Sequence, residues 1–133
     1  MTEQSLIIVK PDGVERKIIG QILTRFENKD FKIVKMKMFT FTKENAEEFY
    51  SAHKSKPFFG ELVSFITSDR VVAAVIEGNN AIATTRLMVG STKSFEAPPG
   101  SIRGDFGLGL TDNIIHASDS KESFEKEVAV VFK

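Results

Sequence analysis

The chain has 133 residues, and its 18 basic side chains balance 18 acidic ones, so its formal net charge is zero. This length suits a single domain over residues 1–133, and a hydrophobic content of 41% excludes a disordered or fibrous chain. The balanced charge predicts no specific binding to nucleic acid or to an anionic membrane, and the absence of cysteine excludes disulfides and thiolate chemistry. No apolar run approaches the ~18 residues of a membrane span, and the N-terminus lacks the cationic start of a secretory signal, so we expect a cytoplasmic protein.

Strand and helix patterns alternate through the first third of the chain. An apolar run at residues 6–9 predicts a strand that ends in a turn at residues 10–13. Apolar side chains then recur at helical spacing over residues 18–26, and this helix should end near residues 28–30, where Asn or Asp tolerates a left-handed backbone. At residues 34–38 apolar side chains alternate with lysines, which predicts a strand with one face exposed to solvent.

The middle of the chain predicts two helices, a buried strand and a third helix. Thr42 is a candidate N-cap for a helix whose apolar stripe reaches His53, and Pro57 opens a shorter helix. Residues 71–76 are all aliphatic, so we expect a strand that is buried on both faces. After a break at residues 78–80, residues 81–89 predict another helix.

Residues 90–112 interrupt this alternation. They hold five of the 9 glycines and two of the 4 prolines and show no helix or strand period, so we expect a long loop that is functional or disordered. A short strand at residues 113–117 follows, and Asp119 with Glu122 matches a capping-box spacing before a last helix. The order of elements leaves two fold classes open, a doubly wound parallel sheet and an antiparallel α+β sandwich.

His116 closes the predicted short strand and precedes a polar entry to the last helix, which suits contact with an anionic substrate. A neutral imidazole can act as a nucleophile when an acceptor holds its other ring nitrogen. Glu122, Glu125 and Glu127 on the following helix are candidates for that acceptor. The residues alone leave open a structural histidine that is bonded to the backbone, and glutamates on a solvated helix face.

Three cations and two phenylalanines are further candidates. Lys10, Arg86 and Arg103 could hold phosphate, and guanidinium groups suit it because they present fixed donors and keep their charge. Each could instead be a surface residue or part of an ion pair. An exposed Phe58 would offer a ring on which a base could stack, whereas Phe59 fits the core better. No Walker A motif and no complete dinucleotide-binding glycine pattern is present.

Four segments carry a resemblance to a known family: IVKPDGV at residues 8–14, HKSKPFFG at 53–60, PGSIRGDF at 99–106 and NIIHASDS at 113–120. The Asn, His, Ser and Asp of the last segment match the family's active-site signature. Because the four matches occur in order over nearly the whole chain, the sequence resembles the nucleoside diphosphate kinases. One departure is Lys-Ser at residues 93–94, where the family usually has Asn-Pro.

The resemblance implies a ping-pong phosphotransfer with low base specificity. His116 would take the γ-phosphate of a nucleoside triphosphate, usually ATP, and pass it to a nucleoside diphosphate. Glu127 and Ser118 would orient the imidazole, and Tyr50 would lie beside it. Mg²⁺ would be held through the nucleotide phosphates and water, without direct protein ligands.

The resemblance also implies which side chains bind the nucleotide. Seven are expected to do so: Arg86, Thr92 and Arg103 on phosphate oxygens, Lys10 and Asn113 at the sugar and phosphate end, and Phe58 with Leu62 at the base. Lys10 would also belong to the catalytic group.

The family fold is a ferredoxin-like βαββαβ sandwich with a four-stranded antiparallel sheet, here with an extra C-terminal helix. Family members form homo-oligomers, so we expect a hexamer, tetramer or dimer. Two other functions stay open: a binding module with little turnover, and a phosphocarrier that receives its phosphate from a protein partner.

Overall fold

The computed structural model describes residues 2–107, 109 and 113–133. In chain order these form β1 (Thr2–Val9), α1 (Pro11–Glu15), α2 (Ile19–Asn28), β2 (Lys32–Phe39), α3 (Lys43–Phe49), α4 (Phe59–Ile66), β3 (Val71–Asn79), α5 (Ala81–Val89), α6 (Ile102–Phe106), β4 (Ile115–Ala117) and α7 (Lys121–Val131). Single turns of 3-10 helix lie at Ser51–His53 and Ser94–Glu96. Within the described residues, every helix is too short or too polar to cross a bilayer.

The four strands form one sheet in the order β2-β3-β1-β4, with every neighbouring pair antiparallel. The central strands β1 and β3 pair from Thr2 opposite Asn79 to Val9 opposite Val72. β4 pairs with β1, so that His116 lies opposite Ile8. This is the ferredoxin-like arrangement, and of the two fold classes left open above the antiparallel sandwich is confirmed.

The sheet separates two hydrophobic cores, because successive side chains of a strand point to opposite faces. Ile7 and Val9 pack with side chains of α2 and α5, whereas Leu6 and Ile8 pack with side chains of α3, α4 and α7. The side chains of Val71–Ile76 in β3 divide between the same two cores, and all of them are buried. Burial on both faces explains why these two central strands are apolar without alternation.

Local backbone chemistry sets several helix ends where the sequence predicts them. The Thr42 side chain accepts a backbone N–H in the first turn of α3, and Asp30 takes a positive φ of 71° just after α2. The predicted N-cap of the last helix is wrong by one residue. Ser120 rather than Asp119 is the cap, since its hydroxyl accepts the N–H of Ser123.

Three other expectations differ from the structure. The predicted turn after β1 is the short helix α1, with Pro11 at its start. The apolar side chains that alternate with the lysines of β2 are not buried: Met36 is 56% exposed and Met38 49% exposed on this edge strand, which has a register shift between Ile33 and Lys35. The expected loop at residues 90–112 contains α6, which begins where the Ser101 hydroxyl accepts the N–H of Gly104. Residues 108 and 110–112 of that segment lie outside the described residues.

Candidate functional site

Strand β4 directs the His116 side chain away from the core that its neighbours enter. Ile115 and Ala117 pack in the core formed with α2 and α5. His116 therefore points to the opposite face, where its ring and that of Phe49 form a T-shaped contact at a centroid distance of 5.0 Å. The imidazole is partly buried, with 18% of its side chain exposed.

A carboxylate from α7 fixes one nitrogen of this imidazole. His116 Nε2 lies 3.0 Å from Glu127 Oε1, and the Ser118 hydroxyl donates to the same oxygen at 2.7 Å. Because an ionised carboxylate only accepts hydrogen bonds, Nε2 carries the proton and Nδ1 keeps its lone pair. Among the described residues none forms a hydrogen bond with Nδ1, so the basic nitrogen is available to a ligand.

The backbone immediately before β4 makes a strained turn. Ile114 has a φ of 78°, and the N–H of Ile115 bonds the carbonyl of Asn113 across it at 2.9 Å. This is a γ-turn with positive φ, a rare conformation that is unfavourable for a β-branched residue. The Ile114 N–H bonds Asp12 Oδ2 at 3.1 Å, and its carbonyl accepts the N–H of Lys10 at 2.8 Å.

Two arginines bond carbonyl groups of β4. Arg86 donates to the Ala117 carbonyl at 3.2 Å. Arg103 donates to the Ile115 carbonyl at 2.7 Å and to the Gly90 carbonyl at 3.1 Å. The backbone of the edge strand thus holds both guanidinium groups beside the histidine.

Lys10 supplies a third cation to the same place. Its ammonium group is buried and donates to Asn113 Oδ1 at 2.9 Å. The Asn113 amide in turn donates to the backbone carbonyl of Thr92 at 3.0 Å. This chain of contacts joins the end of β1, the turn before β4 and the segment after α5.

The aromatic side of the site is built by α3, the following 3-10 turn and the start of α4. Phe58 is 41% exposed, whereas Phe59 packs against the core, as the sequence predicts. The His53 ring lies between Tyr50 and Phe58, with centroid distances of 6.4 and 5.9 Å. An exposed ring at the rim of a polar cavity provides a surface for stacking.

Burial and charge shift the pKa values of several of these groups. Burial, and next the nearby Arg86, lower the pKa of Arg103 to about 10, which leaves it charged at neutral pH. Burial and then Glu127 raise the pKa of Tyr50, so its hydroxyl stays protonated. A hydrogen bond from Ser123 lowers the pKa of Asp119, so that carboxyl is ionised.

The predicted side chains meet in one cavity of about 330 Å³. Its lining includes ten of the predicted site residues: Lys10, Tyr50, Phe58, Leu62, Arg86, Thr92, Arg103, Asn113, His116 and Glu127. The eleventh, Ser118, is fully buried behind the cavity and reaches it through Glu127. The ring of His116 thus shares a cleft with all three predicted cations.

Sequence reasoning missed several residues at this site. Asp119, Ser123, Phe49 and His53 also line the cavity, and Asp12 bonds the strained turn. Asp119, which belongs to the active-site signature but received no role, and His53 and Asp12 lie inside the segments that carry the family resemblance. Those segments are the signal that could have identified their roles. Phe49 shows only an apolar helical stripe, which does not distinguish the core from the wall of a cavity.

No group of three or more His, Asp or Glu side chains within the described ranges is arranged to hold a metal ion. The carboxylates among the described cavity-lining residues are Asp119 and Glu127. Glu127 is already bonded to His116 and Ser118, so Asp119 is the carboxylate that remains for a bound cation.

Comparisons with known proteins agree with this geometry. A family model described as nucleoside diphosphate kinase matches residues 3–133. A nucleoside diphosphate kinase of Methanocaldococcus jannaschii is 53% identical over 100% of this chain and 95% of its own length. One from Staphylothermus marinus is 52% identical over 99% of this chain and 94% of its own length.

Solved structures give the same result. The Aquifex aeolicus nucleoside diphosphate kinase superposes with a TM-score of 0.96 at 48% identity, covering 100% of this chain and 96% of its own. A halophilic nucleoside diphosphate kinase from Halobacterium salinarum, solved in complex with CDP, has a TM-score of 0.96 at 45% identity and covers 100% of this chain and 89% of its own.

Together with these relatives, the histidine cavity lined with cations identifies the chain as a phosphotransferase. Within that class, the chain belongs to the nucleoside diphosphate kinase family. It is an enzyme that transfers a phosphoryl group from a nucleoside triphosphate to a nucleoside diphosphate, by a ping-pong mechanism through a phosphohistidine. Enzymes of this family bind nucleotides and generally use a divalent metal ion.

Proposed function

We propose that Nδ1 of His116 is the atom that carries the phosphoryl group. The observation that supports this most directly is the bond from Nε2 to Glu127 at 3.0 Å, because it fixes the proton on Nε2 and leaves the Nδ1 lone pair available. Ser118 donates to the same carboxylate oxygen and so restrains Glu127. Tyr50, whose hydroxyl stays protonated, lines the cavity beside the ring.

The transfer then has two steps. The Nδ1 lone pair attacks the γ-phosphorus of the triphosphate while the bond to the bridging oxygen breaks, and the nucleoside diphosphate leaves with that electron pair. In the second step a terminal oxygen of another nucleoside diphosphate attacks the same phosphorus, and the N–P electrons return to Nδ1. Glu127 accepts the Nε2 proton in a hydrogen bond throughout, so the imidazole keeps one tautomer.

Cations around Nδ1 would stabilise the charge on the transferred group, because phosphoryl transfer is catalysed mainly by positioning and electrostatics. We assign Arg86, Arg103 and Thr92 to phosphate oxygens. Lys10 and Asn113, already bonded to each other, would contact the sugar and phosphate end of the nucleotide.

Magnesium fits this cavity without a cluster of protein ligands. Mg²⁺ keeps several waters and is usually held through substrate phosphates and one or two carboxylates. The ionised carboxylate of Asp119 lines the cavity and would accept hydrogen bonds from the waters of a phosphate-bound Mg²⁺ ion, so no side chain needs to bind the ion directly. When bound, the ion would neutralise phosphate charge.

Phe58 and Leu62 would form the base site. Stacking on a ring does not distinguish one base from another, since every base has a π-face. We therefore propose low base specificity. ATP as the usual donor and a cytoplasmic location remain predictions from the sequence.

A homo-oligomer is also part of the proposal. Two large apolar side chains on either side of Gly90 are highly exposed in the single chain: Leu87 at 80% and Phe95 at 62%. Such exposure supports a surface that is covered by another copy. Light scattering should give a mass of at least two chains at micromolar concentration, and a monomer there would contradict this part of the proposal.

The transfer itself is tested by incubating the protein with γ-labelled ATP and Mg²⁺ in the absence of an acceptor. The enzyme should acquire acid-labile label that any nucleoside diphosphate removes. After tryptic digestion the label should lie in the peptide of residues 104–121, which contains His116, and not in residues 44–54, which contain His53. His116→Ala should abolish labelling and leave nucleotide binding largely intact.

The other outcomes of this experiment separate the remaining functions. Nucleotide binding without label would indicate a binding module with little turnover, and label that requires a protein partner would indicate a phosphocarrier.

A further inference from the structure

We propose that Asp12 is a positioning residue for phosphoryl transfer, because its carboxylate holds the strained turn that precedes the histidine. The turn is defined by Ile114, whose φ is 78°, and Asp12 Oδ2 accepts the Ile114 N–H at 3.1 Å. This inference rests on the proposed role of His116.

The turn needs external contacts because it is intrinsically unfavourable. Positive φ is disfavoured for a β-branched side chain, and such outliers persist only when the surroundings determine them. The Ile114 side chain is itself buried in the core. On the other side, a Cβ at Gly13 would come within 2.7 Å of Val9 Cγ1 and 3.2 Å of the Ile114 carbonyl oxygen, so a side chain there would crowd the turn.

Two contacts from the segment after β1 hold this turn. One is the Lys10 backbone N–H on the Ile114 carbonyl, which no side-chain substitution removes. The other is the side chain of Asp12, which can be changed independently. We call these two contacts, from the Lys10 N–H and the Asp12 carboxylate, the clamp. Asp12 is the part of the clamp that a substitution can remove.

The clamp acts on the catalytic groups on both sides of Ile114. Asn113, just before it, bonds Lys10 and the Thr92 carbonyl. The Ile115 carbonyl, just after it, accepts from Arg103. If Ile114 relaxed to a negative φ, the peptide planes on either side would rotate, and these groups would move relative to His116.

Asp12 does not resemble a residue whose main contribution is stability. Its Oδ1 is buried and bonds no other described residue. Burial raises the pKa of this carboxyl, although the Ile114 N–H and the Lys10 charge oppose the rise. Burial of this unpaired oxygen on a partly buried carboxylate costs folding free energy, so removal of the side chain should affect transfer more than folding.

Single-turnover phosphorylation of the full chain by ATP and Mg²⁺ separates these effects. The burst amplitude gives the competent fraction, and the rate constant describes that fraction alone. Asp12→Ala should lower the rate constant by roughly 10- to 100-fold, since small misplacements of reacting groups have effects of this size. The amplitude should stay near one per chain, and the nucleotide dissociation constant should change much less than the rate constant.

Two further variants control for charge and for stability. Asp12→Asn keeps an oxygen that accepts the Ile114 N–H, so its rate constant should stay close to that of the original chain. Val14→Ala removes a buried side chain from the same helix but leaves both hydrogen bonds to the turn in place, so it should lower the melting temperature and leave the rate constant unchanged.

Several results would overturn the proposal. An unchanged rate constant in Asp12→Ala would show that the clamp is dispensable. Equal slowing in Asp12→Asn would assign the effect to the charge near Lys10, and a loss of amplitude alone, or failure to fold, would make Asp12 purely structural. If the original chain itself acquires no label on His116, the proposed function fails instead, and the two failures are thus distinguishable.

Discussion

Strands β2 and β4 form the two edges of one sheet, and different side chains protect the free edge of each. β2 is eight residues long, with exposed methionines that alternate with lysines. Lys37 lies over the rings of Phe39 and Phe132, at 4.6 and 5.6 Å from their centroids. Lysines are a common protection of an open edge against pairing with other chains.

β4 is only three residues long, and arginine side chains bond its backbone. Arg103 and Arg86 bond the Ile115 and Ala117 carbonyls on either side of His116. This edge is closed by fixed cations, whereas the β2 edge carries lysines on an open surface. An edge strand thus contributes to a functional site when its free backbone carbonyls hold charged side chains in place.

The largest loss of stability and activity should come from removing the hydrogen bonds that Arg103 makes to the backbone of β4 and to Gly90. Arg103→Met leaves the Gly90 and Ile115 carbonyls without their donors, at about 1–3 kcal/mol for each orphaned group. We expect the free energy of unfolding to fall by about 2–6 kcal/mol, and kcat/KM to fall by about 10²- to 10³-fold.

Arg86→Met is the matched control, because it orphans a single carbonyl, that of Ala117. It should cost about 1–3 kcal/mol. Urea unfolding and steady-state transfer assays measure both variants. Equal losses of stability in the two would contradict the account of how the β4 edge is closed.

The next effect concerns the carboxylate behind the histidine. Glu127→Ala frees the imidazole tautomer and should slow phosphorylation of His116 by about 10²-fold. Ser118→Ala removes one hydrogen bond to the same carboxylate and should slow it by about tenfold. Rapid-quench measurement of labelling gives both rates, and a larger effect of the serine would reverse the assigned order.

The free energy of unfolding should depend on pH through Asp12, whose carboxylate bonds the turn before β4. Its pKa in the folded chain is raised above the ordinary 3.8, by burial. Between 3.8 and the raised value the folded state binds more protons than the unfolded state, so this group's contribution to stability falls as pH rises. Relative to Asp12→Asn, the original chain should therefore lose stability as pH rises through that window. Urea unfolding of both proteins from pH 4 to pH 8 checks this, and an original chain that gained stability relative to Asp12→Asn as pH rises would be inconsistent with a raised pKa.

The smallest effect should come from the open β2 edge. Lys37→Gln removes a cation from two aromatic faces, and contacts of this kind at exposed sites contribute about 0.5–1 kcal/mol. Thermal unfolding should show a correspondingly small shift, while the rate constant of phosphorylation stays unchanged. A loss of transfer in this variant would mean that the two edges are not functionally separate.

Much of the fold could be predicted from the sequence because its signals are local. The aliphatic run of β3 and the helix α5 follow from composition and from the break before Ala81, and α5 spans the predicted residues. The exposure of Met36 could not be predicted, since alternation shows that a strand has two faces but not whether anything covers them. The helix α6 was missed because its segment is rich in glycine and proline. In the folded chain the Ser101 hydroxyl caps this helix by accepting the N–H of Gly104.

The candidate site divides in the same way. The sequence by itself determined the strands and most of the helices, the family resemblance and which side chains are chemically suited to hold phosphate. Only the tertiary structure decided that Nε2 of His116 faces Glu127, that Arg103 is held by carbonyls of two segments, and that Asp12 bonds a turn more than a hundred residues further along the chain. The physical reason is that residue type and spacing encode short-range periodicity and intrinsic chemistry. Orientation, burial and backbone strain arise only when distant segments pack together.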